Sequence, residues 1–399
     1  MTLIEMMVAL VIGLVLSLAI FSVMSVFEGR RRTVVAGSDL DQSAGVAMFQ
    51  IDRWARSAGT GFAAAASYGY GCELFAVDDS GSQILPMKTA LPDPFAAVDP
   101  GASGVFRLAP LLILPGQTSP GASNAVTSGH VSDVLVLMSS GNGGSQVPTS
   151  FTAAATTTGL TVANTLAFSG GDLMLLADRQ PAASGGTAPC MVTQADSAAT
   201  SGTATALPLG GGRHSASIDA ASVANYSTTG VAINLGNLAS VGPPSFQLLG
   251  VGDNNTLYSY DLLQTSNTPL QARAEGVFEM HALYGIGSTS DTTVDAWVSP
   301  GTGSYTVAAL SAGTPAAAAL LRTIRAVRIG LIMRTALPER SGSAAGAASA
   351  TATPATALTL FSDLGDSTLT YTRALAPAEQ QYRYRTLEAT IPLRNNGFQ

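Results

Sequence analysis

Between Met1 and Phe27 the chain carries one charged side chain, the carboxylate of Glu5. A helix of this length and composition spans a bilayer, for which about 20 apolar residues suffice. Burying a carboxylate in hydrocarbon costs at least ~2.5 kcal/mol, so an ionisable group in such a segment marks a functional position by default. The alternative is a Glu5 at the water interface that favours the positive end of the helix dipole. Arg30, Arg31 and Arg32 follow the apolar run as a cationic collar. On the side of the membrane where the rest of the chain would lie, that collar departs from the positive-inside tendency. Lipid headgroups, acidic surface on neighbouring subunits and plain solvent are its three candidate environments.

Other residues able to do chemistry are sparse. Cys72 and Cys190 are the two cysteines. Behind a segment that delivers the chain across an inner membrane, they read as a disulfide formed in an oxidising periplasm, against the alternative of two buried thiols. His130, His214 and His281 stand far apart, without metal-ligand spacing, and read as surface or strand residues. Asp78-Asp79-Ser80-Gly81-Ser82 and the pair Asp363 and Asp366 offer oxygens to calcium, but lack the regular ligand spacing and closing acid of an EF-hand loop. No G-x-S-x-G, G-x-x-x-x-G-K-[ST], G-x-G-x-x-G or H-E-x-x-H occurs. The expectation is a non-enzymatic chain with no catalytic residue, metal site or cofactor. A net charge of −7 argues against nucleic-acid binding, which wants a basic face.

The elements that must carry these groups follow from periodicity. Leu40, Ala44, Ala47, Ile51, Trp54 and Ala58 recur at alternating spacings of four and three, the seam of an amphipathic helix. Gly59 and Gly61 end it. Residues 1–27 form the membrane-spanning half and residues 28–60 the amphipathic half of one rod, on the order of 80–85 Å long. Gly13, Gly29, Gly37 and Gly45 are expected points of weakening, because no proline occurs before Pro86. Beyond residue 61 the pattern is β. Strands are expected at 132–138, 172–177, 276–285, 324–333 and 381–391, with a hairpin joining 245–251 to 256–262 across Gly252-Asp253-Asn254-Asn255. Tyr258, Tyr260, Tyr382 and Tyr384, at strand spacing, read as packing. Segments 139–169, 181–244 and 341–357 are Ala/Ser/Thr/Gly-rich inserts, expected to be mobile surface. The fold class is α+β: a long N-terminal helix against an antiparallel β-sheet head at 61–399, with long loop inserts.

Thr2-Leu3-Ile4-Glu5-Met6 resembles the mature start of a type IV pilin, where a leader peptidase cuts after a glycine just before such a segment. Several later blocks resemble the PilW branch of minor pilins. They are Asp41-Gln42-Ser43-Ala44, Arg53 with Arg56-Ser57-Ala58-Gly59, Gly71-Cys72, Ser132-Asp133-Val134-Leu135, Ala274-Glu275-Gly276-Val277 and Ala282-Leu283-Tyr284-Gly285. Arg325 to Leu331 and Tyr382 to Asn395 complete the series.

The resemblance implies the type IV pilin fold, a mature N-methylated Met1 with its leader upstream of this numbering, and a filament register set by Thr2 and Glu5. Glu5 would pair with the terminal amine of a neighbouring subunit, each group neutralising a charge that is costly in an apolar fibre core. Implied partners are other pilins, major and minor, the inner-membrane assembly platform and a PilY-type tip adhesin. The chain would sit in the inner membrane with a periplasmic head, then in the fibre at the cell surface, supporting assembly, adhesion and twitching motility. A major fibre subunit, a type II secretion pseudopilin, and an adhesin or enzyme anchored by a helix are the rival readings.

Overall fold

The computed structural model describes residues 3–100, 104–118, 131–141, 147–182, 185–239, 242–289, 293–338 and 356–396. Met1, Thr2, His130 and nearly all of the 341–357 insert lie outside them.

One helix, Leu3–Ser57, holds 55 residues and extends about 82 Å. It runs unbroken through Gly13, Gly29, Gly37 and Gly45, where weakening was expected. Glycine costs a helix only ~1 kcal/mol against alanine, which long flanks of good helix formers absorb. Its second half buries Leu40, Ala44, Ala47, Ile51, Ala55 and Ala58. Four of these six are alanines, which let strands approach the helix axis closely. Trp54, expected in the seam, lies at its margin with the Arg273 guanidinium 5.0 Å over its ring. The helix ends where Gly59 and Gly61 take φ of +81° and +88°. A Cβ on Gly61 would come within 2.2 Å of Ser140 Oγ, so glycine is required there for both reasons.

The head is α+β, with its strands divided among several sheets rather than gathered in one. A five-stranded antiparallel sheet runs in the order Leu270–Glu275, Thr256–Asp261, Ser245–Gly252, Ser132–Ser139, Leu111–Thr118. A four-stranded antiparallel sheet runs Ala296–Val298, Val277–Ile286, Ile324–Arg334, Tyr384–Pro392. Both contribute to one apolar core with the helix seam: Ile113, Leu135, Phe246, Met280, Ile329 and Leu331 are all buried with Ile51. The chain passes from one sheet to the other through Gly276, at φ +80°.

The insert 181–244 departs from expectation. It supplies Cys190–Gln194 and Gly230–Asn237 to a six-stranded sheet that also contains Leu74–Val77 and Asp172–Asp178. Within it, Leu74–Val77 and Cys190–Gln194 pair in parallel. One face has its own core of Phe75, Phe151, Leu160, Met174, Leu207, Val223 and Tyr226, to which the 139–169 insert also contributes. Low overall hydropathy misled here, because a few apolar residues at strand spacing suffice when small neighbours let them meet.

Candidate functional site

The N-terminal arm is the feature the rest of the molecule leaves uncovered. Leu3–Ser25 is 23 residues long with mean hydropathy 2.7, and none of it is buried against the head. Phe21 is 70 % exposed and Leu18 63 %. The apolar surface surrounds the helix, so one packed neighbour cannot cover it; a lipid phase or several apolar helices can. Glu5 lies in the first turn of this arm and is exposed. Arg30, Arg31 and Arg32 are carried on the same helix, and the Arg31 side chain is exposed. Farther along, Val46 and Phe49 are exposed opposite the buried seam, Phe49 by 63 %.

The arm is aimed by joints made from segments distant in sequence. Asn395 Nδ2 donates to the carbonyl of Ala58 at 3.1 Å and to Thr60 Oγ1 at 2.8 Å, closing the C-terminus of the helix. Asp41 pairs with Arg385. Tyr284 Oη accepts from the amide of Ile113 at 2.6 Å. Asp133 accepts the amides of Ala282 at 2.9 Å and of Gly116 at 3.0 Å, which ties the two main sheets together. Blocks recognised separately in the sequence are thus brought into contact.

Cys72 and Cys190 form a disulfide, Cα atoms 5.6 Å apart, that fastens the six-stranded sheet to the segment leaving the helix. The calcium candidates are engaged internally. Asp78 Oδ1 accepts from the amides of Ser80 and Ser82, and Asp79 pairs with the buried Arg213 at 2.5 Å. Asp363 binds Arg328 at 2.6 Å, and Asp366 accepts from Thr368. No group of three His, Cys, Asp or Glu side chains is placed to hold a metal among the described residues. His214 bridges Thr193 Oγ1 and the Thr157 carbonyl.

One constellation was missed. His281, read as a surface or strand residue, is buried between two acids: Nδ1 lies 3.6 Å from Asp133 and Nε2 3.3 Å from Glu279. Its ring stacks on Tyr371 at 3.6 Å between centroids. Tyr371 Oη donates to Glu279 at 2.8 Å, and Arg373 lies 3.0 Å from Glu279 and 3.1 Å from Glu379. Burial opposes the imidazolium, but hydrogen bonds and charge from both carboxylates outweigh it and push His281 up to about 9. The signal was legible: in Glu279-Met280-His281 the acid and the base share one face of a strand. This cluster clamps the hairpin of Ala357–Leu360 and Tyr371–Ala374 onto the back of the four-stranded sheet. It holds structure.

An exposed, spanning-length apolar arm on a helix locked into a β-rich head is compatible with membrane anchoring and with association into a fibre. Residues 250–395 match the family of type IV pilus-assembly protein W, PilW. The match covers the end of strand Ser245–Gly252, all of Thr256–Asp261, the whole four-stranded sheet, the His281 cluster apart from Asp133, and Asn395. No curated protein and no solved structure gives a match. The PilW match therefore ends before the six-stranded sheet begins, reading toward the N-terminus.

Proposed function

We propose that this chain is a non-enzymatic, pilin-like subunit of the type IV pilus, a PilW-type minor pilin that helps initiate assembly and supports tip components. The observation that carries the reading is the uncovered arm Leu3–Ser25, continuous with a helix whose second half is the spine of a head that matches PilW over residues 250–395. Before assembly, the arm resides in the inner membrane with the head in the periplasm. During extraction, apolar arms of several subunits replace lipid around one another, so the hydrophobic surface is never presented to water. Glu5 and the methylated amine of Met1 on the adjacent subunit neutralise each other and set the axial register, with Thr2 beside them. An uncompensated carboxylate in that environment favours docking onto an existing subunit.

The test is Glu5→Ala in cells producing pili. Membrane insertion should persist, since the substitution makes the arm more apolar, while incorporation into sheared fibres should fall at least tenfold. Pili that contain the variant at wild-type levels would refute the proposal. Quantifying the wild-type chain in the same fibres separates a minor subunit, present in few copies, from a major one.

A further inference from the structure

We infer that the outer edge of strand Tyr384–Pro392 is a docking site for an extended, acidic strand of a partner protein, added to the four-stranded sheet through main-chain hydrogen bonds. The strand is the last of its sheet and pairs on one side with Ile324–Arg334, in nine consecutive residue pairs without a bulge. In an antiparallel ladder, pairs that exchange hydrogen bonds alternate with pairs that do not. Just beyond the two ends of the strand, the amide of Thr335 donates to the Arg383 carbonyl at 3.0 Å and that of Leu393 to the Arg325 carbonyl at 2.8 Å, in the same register. The bonded positions are therefore the odd-numbered ones. The amides and carbonyls of Tyr384, Thr386, Glu388 and Thr390 point away from the sheet, and these amides have no partner among the described residues. Thr386, Glu388 and Thr390 are exposed.

Other edges are guarded. The amides of Met280 and Ala282 are taken by Ser132 Oγ at 3.2 Å and by Asp133 at 2.9 Å. Leu270–Glu275 meets its neighbour across a register shift, and Ala296–Val298 and Gln83–Leu85 hold three residues each. A long, regular, uncovered edge is a template for strand addition.

Direction and charge choose the occupant. A second copy paired antiparallel along this edge would have its long helix reversed. On the reading proposed for this chain, arms seated in one membrane point the same way, so that pairing is excluded. Residues 382–395 carry three arginines and one glutamate in a chain whose net charge is −7. Asp41 pairs with Arg385, and Arg328 with Asp363 and Glu388, which leaves the edge a positive balance with Arg394 exposed. Two such edges repel, and an acidic strand is attracted. On the helix side Leu387 and Ala389 are half-buried against the core, so the partner's residues on that face are apolar and alternate with its acids.

The test uses the full chain alone in lipid nanodiscs, so its outcome is independent of incorporation into pili. The probe is a peptide as long as the strand, alternating valine and glutamate, with a valine–lysine peptide for comparison. In the unbound chain, amide hydrogen exchange should be fast at Thr386, Glu388 and Thr390 and slow at Leu387 and Ala389. The valine–glutamate peptide should slow the first three by about tenfold, while the valine–lysine peptide and an N-methylated valine–glutamate peptide leave them unchanged. Thr386→Pro with Thr390→Pro removes two outward amides and no ladder bond, and should keep the melting temperature while abolishing the effect of the peptide. Slow exchange at the three outward amides before peptide is added would overturn the inference. So would an acidic peptide that protects none of them, or equal protection by the basic or N-methylated peptide. Protection that appears without peptide when two chains share one disc would make the occupant a second copy and overturn it as well.

Discussion

His281 shows how one residue couples the head to pH. Its pKa in the fold, about 9, is raised above the unfolded value of 6.5. The stability it contributes is therefore fully present below pH 6.5 and is lost as pH rises through 9. Thermal unfolding of the chain in detergent should show the melting temperature falling between pH 6.5 and 9.5, by the equivalent of about 2–3 kcal/mol. His281→Gln should flatten that interval. A wild-type profile level from pH 6.5 to 9.5 would show that the imidazole is neutral between its two acids. Glu279→Ala is expected to cost about 3–5 kcal/mol, because it leaves Arg373 and His281 as buried charges with one carboxylate fewer. Sequence alone showed the alternation of acid and base here. It did not show Asp133 arriving from another sheet, about 150 residues away, and burial of the pair depends on that arrival.

Among the elements, the helix was the most legible and the six-stranded sheet the least. The spacing from Leu40 to Ala58 specified the buried seam almost residue by residue, because a helix face is a local property of sequence. The inserts failed as a reading because their apolar residues are few and their pairing is not local. Leu74–Val77 finds its parallel partner only at Cys190–Gln194. Gly61→Ala tests the junction between helix and sheet. It forces a side chain into a left-handed backbone and against Ser140, and should destabilise by about 1–3 kcal/mol in urea unfolding. Asn395→Ala removes donors to the last turn of the helix and should cost about 1 kcal/mol by the same measurement. An unchanged midpoint in either variant would mean that the helix end is held by packing alone.

At the scale of the molecule, the disulfide lies wholly outside the part of the head that matches PilW, residues 250–395. Cys72 and Cys190 are 118 residues apart in sequence, and closing such a loop contributes roughly 4–5 kcal/mol in the chain-entropy model. Cys72→Ser with Cys190→Ser should make segment 181–244 sensitive to limited proteolysis while the four-stranded sheet stays resistant. Simultaneous cleavage of both would show that the two parts unfold as one. The uncovered arm and the disulfide were readable from composition and from two cysteines. The division into three larger sheets was not, since it arises from which strands meet across long separations.

The asparagine that seals the end of the helix sits four residues before the final one. The alanine and leucine seam meets its last covering strand, Tyr384–Pro392, only after all the other strands of the two main sheets have been synthesised. Until then the nascent protein holds an incompletely covered apolar ridge along its longest helix. Release from the ribosome before that strand is made would leave the ridge open and mark the product for aggregation or degradation.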